Sequence, residues 1–403
     1  MRLPSQFLLL TTFLCSCTSA HPTPNNDDAP AYRNDLLTLH RDLINIPSIS
    51  GSEGDAALFL QKYLRKHHFT VQLQKIPSSS SSSSKRYNVL AWPPSSSSSN
   101  HTPRLLITSH IDVVPPYIPY SINTTSSLSK DTLISGRGSV DAKASVAAQL
   151  TALSQLPPSD QIMLLFVVGE ETSGVGMKHF SSLQKYQFES AIFGEPTENK
   201  LACGHKGITN GIISSRGKAG HSGYPHLGKS ATEVLIRALS KIIDTDLGTS
   251  ERYGNTTVNI GVLQGGVASN VIPKEASARL AIRVAAGNQT TGAKAVQEKI
   301  FQILQDVDEE ALSAEFTQGY GPVKTECDVE GFEKMVASYG TDVPNLEGDH
   351  KSYLYGPGSI LVAHGDDEAL KLGDLEEAVE GYKRLIEHAL RPSKGEEHHR
   401  GDL

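Results

Sequence analysis

Leu105-Leu106-Ile107-Thr108-Ser109-His110-Ile111-Asp112-Val113-Val114 is an apolar run that arrives at a histidine and, two residues later, an aspartate. A short run of this kind reads as a strand buried in an α/β sheet. Polar groups at its carboxyl end fall where such a sheet lines its active-site crevice. The motif recurs along the chain. Leu164-Leu165-Phe166-Val167-Val168-Gly169 leads to Glu170 and Glu171, and Ile360-Leu361-Val362-Ala363 leads to His364. Two further patches carry Asp141 (Gly136-Arg137-Gly138-Ser139-Val140-Asp141) and Glu195 (Ile192-Phe193-Gly194-Glu195).

Working outward, Asp35 to Leu64 reads as two helices broken at Asn45-Ile46-Pro47-Ser48, followed by a strand over Val71–Ile76. Serine runs Ser78–Ser84 and Ser95–Ser99 flank a strand at Tyr87–Trp92 and read as solvated insertions, since polyserine has no apolar area to bury. A helix over Ala142–Leu156 and strands over Ile162–Val168 and Ser190–Phe193 continue the α/β alternation. From Gly207 the text changes to strand Ile208–Arg216, helix Ser230–Ile243, strands Thr257–Gln264 and Ala276–Ala285, and helix Ala293–Gln305. With a closing strand this is the order of a small ferredoxin-like sandwich. Beyond Ala314 come an expected helix Asp328–Tyr339, a Gly356-Pro357-Gly358 turn and a helix Asp374–Ala389. The expectation is an α/β fold with a discontinuous catalytic domain (31–206 plus 314–391), an inserted domain (207–313) and a charged, disordered tail (392–403).

At 403 residues the chain exceeds the size at which one core keeps growing, so two domains are expected. A net charge of −7 with no cluster of Lys and Arg argues against nucleic acid or an anionic membrane as partner. Residues 1–20 read as a signal peptide, with Arg2, an apolar stretch from Phe7 to Leu14, and Thr18-Ser19-Ala20 as the cleavage site. The stretch is too short to span a bilayer. Secretion is therefore expected, and Asn-x-Thr sequons at Asn100, Asn123, Asn255 and Asn288 make N-glycosylation an expectation too. Cys15 and Cys17 would leave with the signal; Cys203 and Cys327 would remain, either as a disulfide or as two separate thiols.

Two histidines and several acids, without cysteine, suit a pair of metal ions sharing one carboxylate and one water. Each residue alone has a plainer reading: a capping aspartate at 141, or an exposed polar loop over His364 and Asp366–Glu368. The joint pattern outweighs these. In motif order, from about Asp35 to Leu390, the chain resembles the di-zinc peptidases and deacylases that include acetylornithine deacetylase, aminoacylase and glutamate carboxypeptidase. The resemblance implies a three-layer α/β/α catalytic domain with an inserted lid and dimerisation domain. It implies that His110 and Glu195 hold one zinc, Glu171 and His364 the other, and Asp141 bridges, with cobalt or manganese as substitutes. It further implies that Asp112 orients His110 and that Glu170 is the general acid/base. His221 (Gly220-His221-Ser222-Gly223) would stabilise the oxyanion, in some relatives from a neighbouring subunit, while Asn270, Arg283 and Gly358 would contact substrate.

The chain departs from many relatives in reading Asp141-Ala142-Lys143-Ala144 where they have Asp-Met-Lys-Gly. The expected activity is a secreted carboxypeptidase acting on small peptides, or a deacylase of N-acyl amino acids, as a homodimer. An aminopeptidase is the nearest alternative. A non-enzymatic glycoprotein, or adhesion through the terminal Arg400-Gly401-Asp402, stands outside that class.

Overall fold

The computed structural model describes residues 28–77, 85–94, 103–123, 127–317 and 319–391. The segment expected to be a signal peptide, both serine runs, Asn100 and the tail lie outside the described residues.

The larger sheet is built around Leu105–His110, which pairs in parallel with Ile162–Val167 on one side and Ser190–Gly194 on the other. Lys351–Tyr355 extends the parallel set beyond Ser190–Gly194, and Tyr87–Trp92 and Thr70–Lys75 close the opposite edge in antiparallel pairing. Alternation along each strand makes the layers. Leu105 and Ile107 pack with helices Arg33–Ile44, Lys143–Ser154 and Leu372–Leu390, whereas Leu106, Met163 and Leu165 face Met177 and Phe180 of helix Val175–Ser182. Being buried on both faces, these strands read as unbroken apolar runs, and each buried Leu or Ile contributes roughly 1.5–3 kcal/mol. The parallel arrangement brings the carboxyl ends of three strands, and hence His110, Glu170, Glu171 and Glu195, to one edge.

The smaller sheet has strand order Thr257–Gly265, Glu275–Val284, Gly207–Arg216, Leu312–Phe316, antiparallel throughout. Helices Ala231–Asp244 and Gly292–Asp308 cover one face, burying Leu235, Leu239, Val296 and Ile300 against Ile213, Leu280 and Ile282. Ser230 caps the first helix by accepting from the Glu233 amide at 3.3 Å. Connectivity and order are those of a ferredoxin-like sandwich.

Three readings need correction. Asp328–Tyr339 is not a helix: Gly331 adopts φ 84°, and Lys334–Ala337 is a strand parallel to Leu201–His205. Sheet pairing overrides a weak helical pattern there. Ile360–Ala363 forms successive turns rather than a strand, with Leu361 86% exposed. The smaller sheet also runs to Phe316, two residues past the expected resumption of the larger unit at 314. Cys203 and Cys327 are disulfide-bonded, Cα atoms 4.9 Å apart, which joins the chain just before the inserted sheet to the chain just after it. Among the described residues no helix is long and apolar enough to cross a membrane.

Candidate metal centre

His110 ends its strand 1% exposed. Its Nε2 stands 2.9 Å from Asp141 Oδ1 and 4.0 Å from Glu195 Oε1. His364 Nε2 lies 3.2 Å from Asp141 Oδ2 and 3.0 Å from Glu171 Oε2. Asp141 thus turns one oxygen to each histidine, with one further acid beside each. Donor atoms of His110, Asp141 and Glu171 lie within 4.8 Å of one another, as do those of His110, Glu170 and Glu195. His364 reaches the cluster from a loop, at φ 65°.

The Asp112 carboxylate is 3.7 Å from His110 Nδ1, whereas its backbone oxygen is at 2.9 Å. The carbonyl therefore accepts the Nδ1 proton and leaves the Nε2 lone pair facing the cluster. The carboxylate instead accepts from the amides of Glu170 (3.1 Å) and Glu171 (3.3 Å) and from Ser50 Oγ (2.7 Å). Asp112 fixes the acidic pair relative to His110, a broader task than orienting one ring.

The donor set fits metal ions. Two imidazoles and three carboxylates offer borderline and hard ligands without thiolate, as zinc accepts. Glu171 Oε1 is buried without a hydrogen bond, an expense that a ligating role would remove. Burial, and then the neighbouring Glu195 carboxylate, hold the Glu170 carboxyl well above its usual range. Burial raises Glu195 likewise, with its His110 neighbour opposing. Nearby cations would reverse that direction.

A cavity of about 1120 Å³ runs from this cluster to the end of the smaller sheet, where Asn210, Arg283, Gln289 and Tyr320 line it. Among the described residues no acid pairs with Arg283. Gly358 packs against Val140 so closely that a Cβ would meet Val140 Cγ1 at 2.7 Å, and its φ of 78° also favours glycine. His221 and Asn270 do not line the cavity. They sit on exposed loops of the smaller unit, where the Ser222 amide donates to the Asn270 oxygen at 3.1 Å. Asn123, Asn255 and Asn288 are exposed.

Sequence reasoning passed over Asp342 and Tyr339, which share the cavity wall. Burial pushes the Asp342 carboxyl up to about 6, and Asn345 Nδ2 donates to it at 2.6 Å. Tyr339 Oη donates to the Pro196 oxygen at 2.9 Å. Asp342 follows no apolar run, and the one before Tyr339 is only Met335-Val336-Ala337, so neither carried the strand-end signal. Glu368, weighed as part of an exposed loop, is 1% exposed.

An acidic and imidazole cluster at the carboxyl edge of a parallel sheet, facing a cavity walled by an inserted sheet, defines a metallohydrolase centre. Comparison with known proteins narrows the class. Residues 203–311 match the family model described as a peptidase dimerisation domain. The chain is 60% identical to a peptidase M20 domain-containing protein of Sordaria macrospora, covering 93% of this chain and 89% of that one. It is 46% identical to a probable carboxypeptidase of Aspergillus niger, covering 89% and 91%. The fold is shared with a tripeptidase of Staphylococcus aureus, with a TM-score of 0.74, 20% identity, and coverage of 89% and 98%. The chain belongs to the M20 peptidase family and is a metallopeptidase, a hydrolase.

Proposed function

We propose that this protein is a secreted, two-zinc carboxypeptidase that releases the C-terminal residue of small peptides. The observation that carries the reading is Arg283, which lines the same cavity as the metal cluster and pairs with no acid among the described residues. Its planar fork suits a free substrate carboxylate, held at a distance from the ligands that sets which amide is cut. Relatives named probable carboxypeptidase, 44–46% identical, support it.

His110, Glu195 and Asp141 would hold one ion, and Asp141, Glu171 and His364 the other. When bound, the ions supply Lewis-acid charge and make water more acidic. Glu170 takes the proton of the attacking water and delivers it to the leaving amine. Asp112 holds the backbone of Glu170 and Glu171 in place through both of their amides. His221 donates to the oxyanion from a second copy of the chain, which its place outside the cavity supports. A homodimer through the smaller sheet is supported by its edge strand Thr257–Gly265, where Leu263 is 57% exposed. The Cys203–Cys327 bond supports an oxidising compartment. Asn255 and Asn288 are exposed acceptors for the glycans that secretion would add.

Blocked dipeptides with a free or an amidated C-terminus test the reading, with N-acyl amino acids alongside. Amidation is expected to lower kcat/KM by about 100-fold or more, a loss comparable to that of a charge-assisted pair. Faster hydrolysis of peptides with a free N-terminus and an amidated C-terminus would make the protein an aminopeptidase. Preference for N-acyl amino acids would make it a deacylase.

A further inference from the structure

Glu368 and Arg137 form an ion pair in which both side chains are at most 1% exposed. Neither is a ligand, and each lies a few residues from one: Arg137 precedes Asp141, and Glu368 follows His364. Arg137 Nη1 donates to Glu368 Oε2 at 2.6 Å. The same guanidinium donates to the backbone oxygens of Gly365 (3.1 Å), His364 (3.2 Å) and Pro116 (3.3 Å). Glu368 Oε1 accepts from the amides of Gly138 (3.0 Å), Val140 (3.0 Å) and Asp141 (3.2 Å). Each partner's charge is thus used on the other's loop. Arginine on the Asp141 loop grips the carbonyl of His364, and glutamate on the His364 loop grips the amide of Asp141.

A buried ion pair is weak evidence for stability, because desolvation offsets much of the attraction. Its hydrogen bonds here converge on the backbone of two proposed ligands 223 residues apart. The turns around His364 face solvent: Leu361 is 86% exposed, and the His364 side chain is 49% exposed. Beyond the ion pair, Ser359 bridges to Thr197 and donates to Glu198 at 2.8 Å, and the Glu368 backbone oxygen accepts from the Gly136 amide and from Ser139 Oγ, both at 3.1 Å.

We propose that Arg137 and Glu368 are positioning residues that set the affinity of the second metal position, the one between Asp141, Glu171 and His364. The pair locks the His364 backbone onto the Asp141 backbone, so the imidazole meets the shared carboxylate without an ordering cost at each binding event. The first position shares Asp141 but takes His110 and Glu195 from strand ends, so it depends less on that loop. This inference rests on the two-metal reading above.

The test uses the full chain, stripped of metal and titrated with zinc alone by calorimetry, with bound metal counted after dialysis. Arg137→Lys keeps the charge but loses the fork to the two loop carbonyls. Glu368→Gln keeps the shape and weakens the acceptor. The wild type is expected to bind two ions. Each variant should bind the first within a few-fold of wild type and the second about 10–100-fold more weakly, the usual loss for groups that hold a ligand. Added zinc should restore turnover. A purely architectural pair would lower the thermal midpoint of the metal-free protein and leave the ratio of the two affinities unchanged. That result overturns the proposal, as does failure of both near-isosteric variants to fold, since the pair would then belong to the core. A wild type binding fewer than two ions would instead overturn the two-metal reading itself.

Discussion

Replacing Glu170 by glutamine separates proton transfer from metal binding. Glutamine keeps the length and volume of the side chain and removes its capacity to accept a proton. The loop should stay in place, because Asp112 grips it through the backbone amides of residues 170 and 171 rather than through the Glu170 side chain. Glu170 shares a 4.8 Å cluster with His110 and Glu195, so the substituted amide remains next to the reacting centre without acting there. Loss of a general base costs about 10²–10⁴ in turnover, which is roughly 2.7–5.4 kcal/mol of barrier at about 1.36 kcal/mol per decade. Steady-state hydrolysis of a blocked dipeptide, with metal counted on the same sample, provides the readout. The expected result is kcat down by that factor, KM within a few-fold, and two ions retained. Turnover within a few-fold of wild type would refute the role, and loss of an ion would recast Glu170 as a ligand. Glu171→Gln should lose metal, which tells the neighbours apart.

The Cys203–Cys327 bond closes a loop with a sequence separation of 124, so Cys203→Ser with Cys327→Ser should cost about 5 kcal/mol by loop entropy, read as a lower denaturant midpoint; an unchanged midpoint would contradict it. Burial lowers His40 and His205 from 6.5 to about 4. The unfolded chain takes these protons first, so their stability contribution is complete above about pH 6.5 and is lost as pH falls towards 4, about 3 kcal/mol each. Denaturant midpoints measured from pH 7 to 4 check this, and a His40→Asn variant should show a shallower decline. Mixing inactive His221→Ala chains with inactive Glu170→Gln chains should restore activity up to about a quarter of wild type, if partner exchange is random and His221 acts across the dimer. No recovery, with mixed dimers demonstrated, would place His221 in its own subunit's site.

The layers were legible because burial on both faces writes itself as an apolar run. Leu105–His110 and Ile162–Val167 could be placed by that alone, and with them the acids at their ends. The insertion was legible from periodicity switching between strand and helix. Lys334–Ala337 was not: its strand identity comes from pairing with Leu201–His205, a partner more than a hundred residues away that no local pattern announces. The Arg137–Glu368 pair was hidden for a related reason. A charged residue in a glycine-rich turn reads as solvated, and only tertiary structure supplies the backbone groups that pay for its burial. Which oxygen of Asp112 serves His110 is likewise a question of angles, beyond any spacing rule.

The most direct test of the central claim is anomalous diffraction from crystals of the zinc-loaded protein. Two peaks about 3.5–4 Å apart are expected. Asp141 should lie between them, with His110 and Glu195 on one and Glu171 and His364 on the other. A single peak, or two peaks with any of these five residues outside ligand distance, would contradict the account.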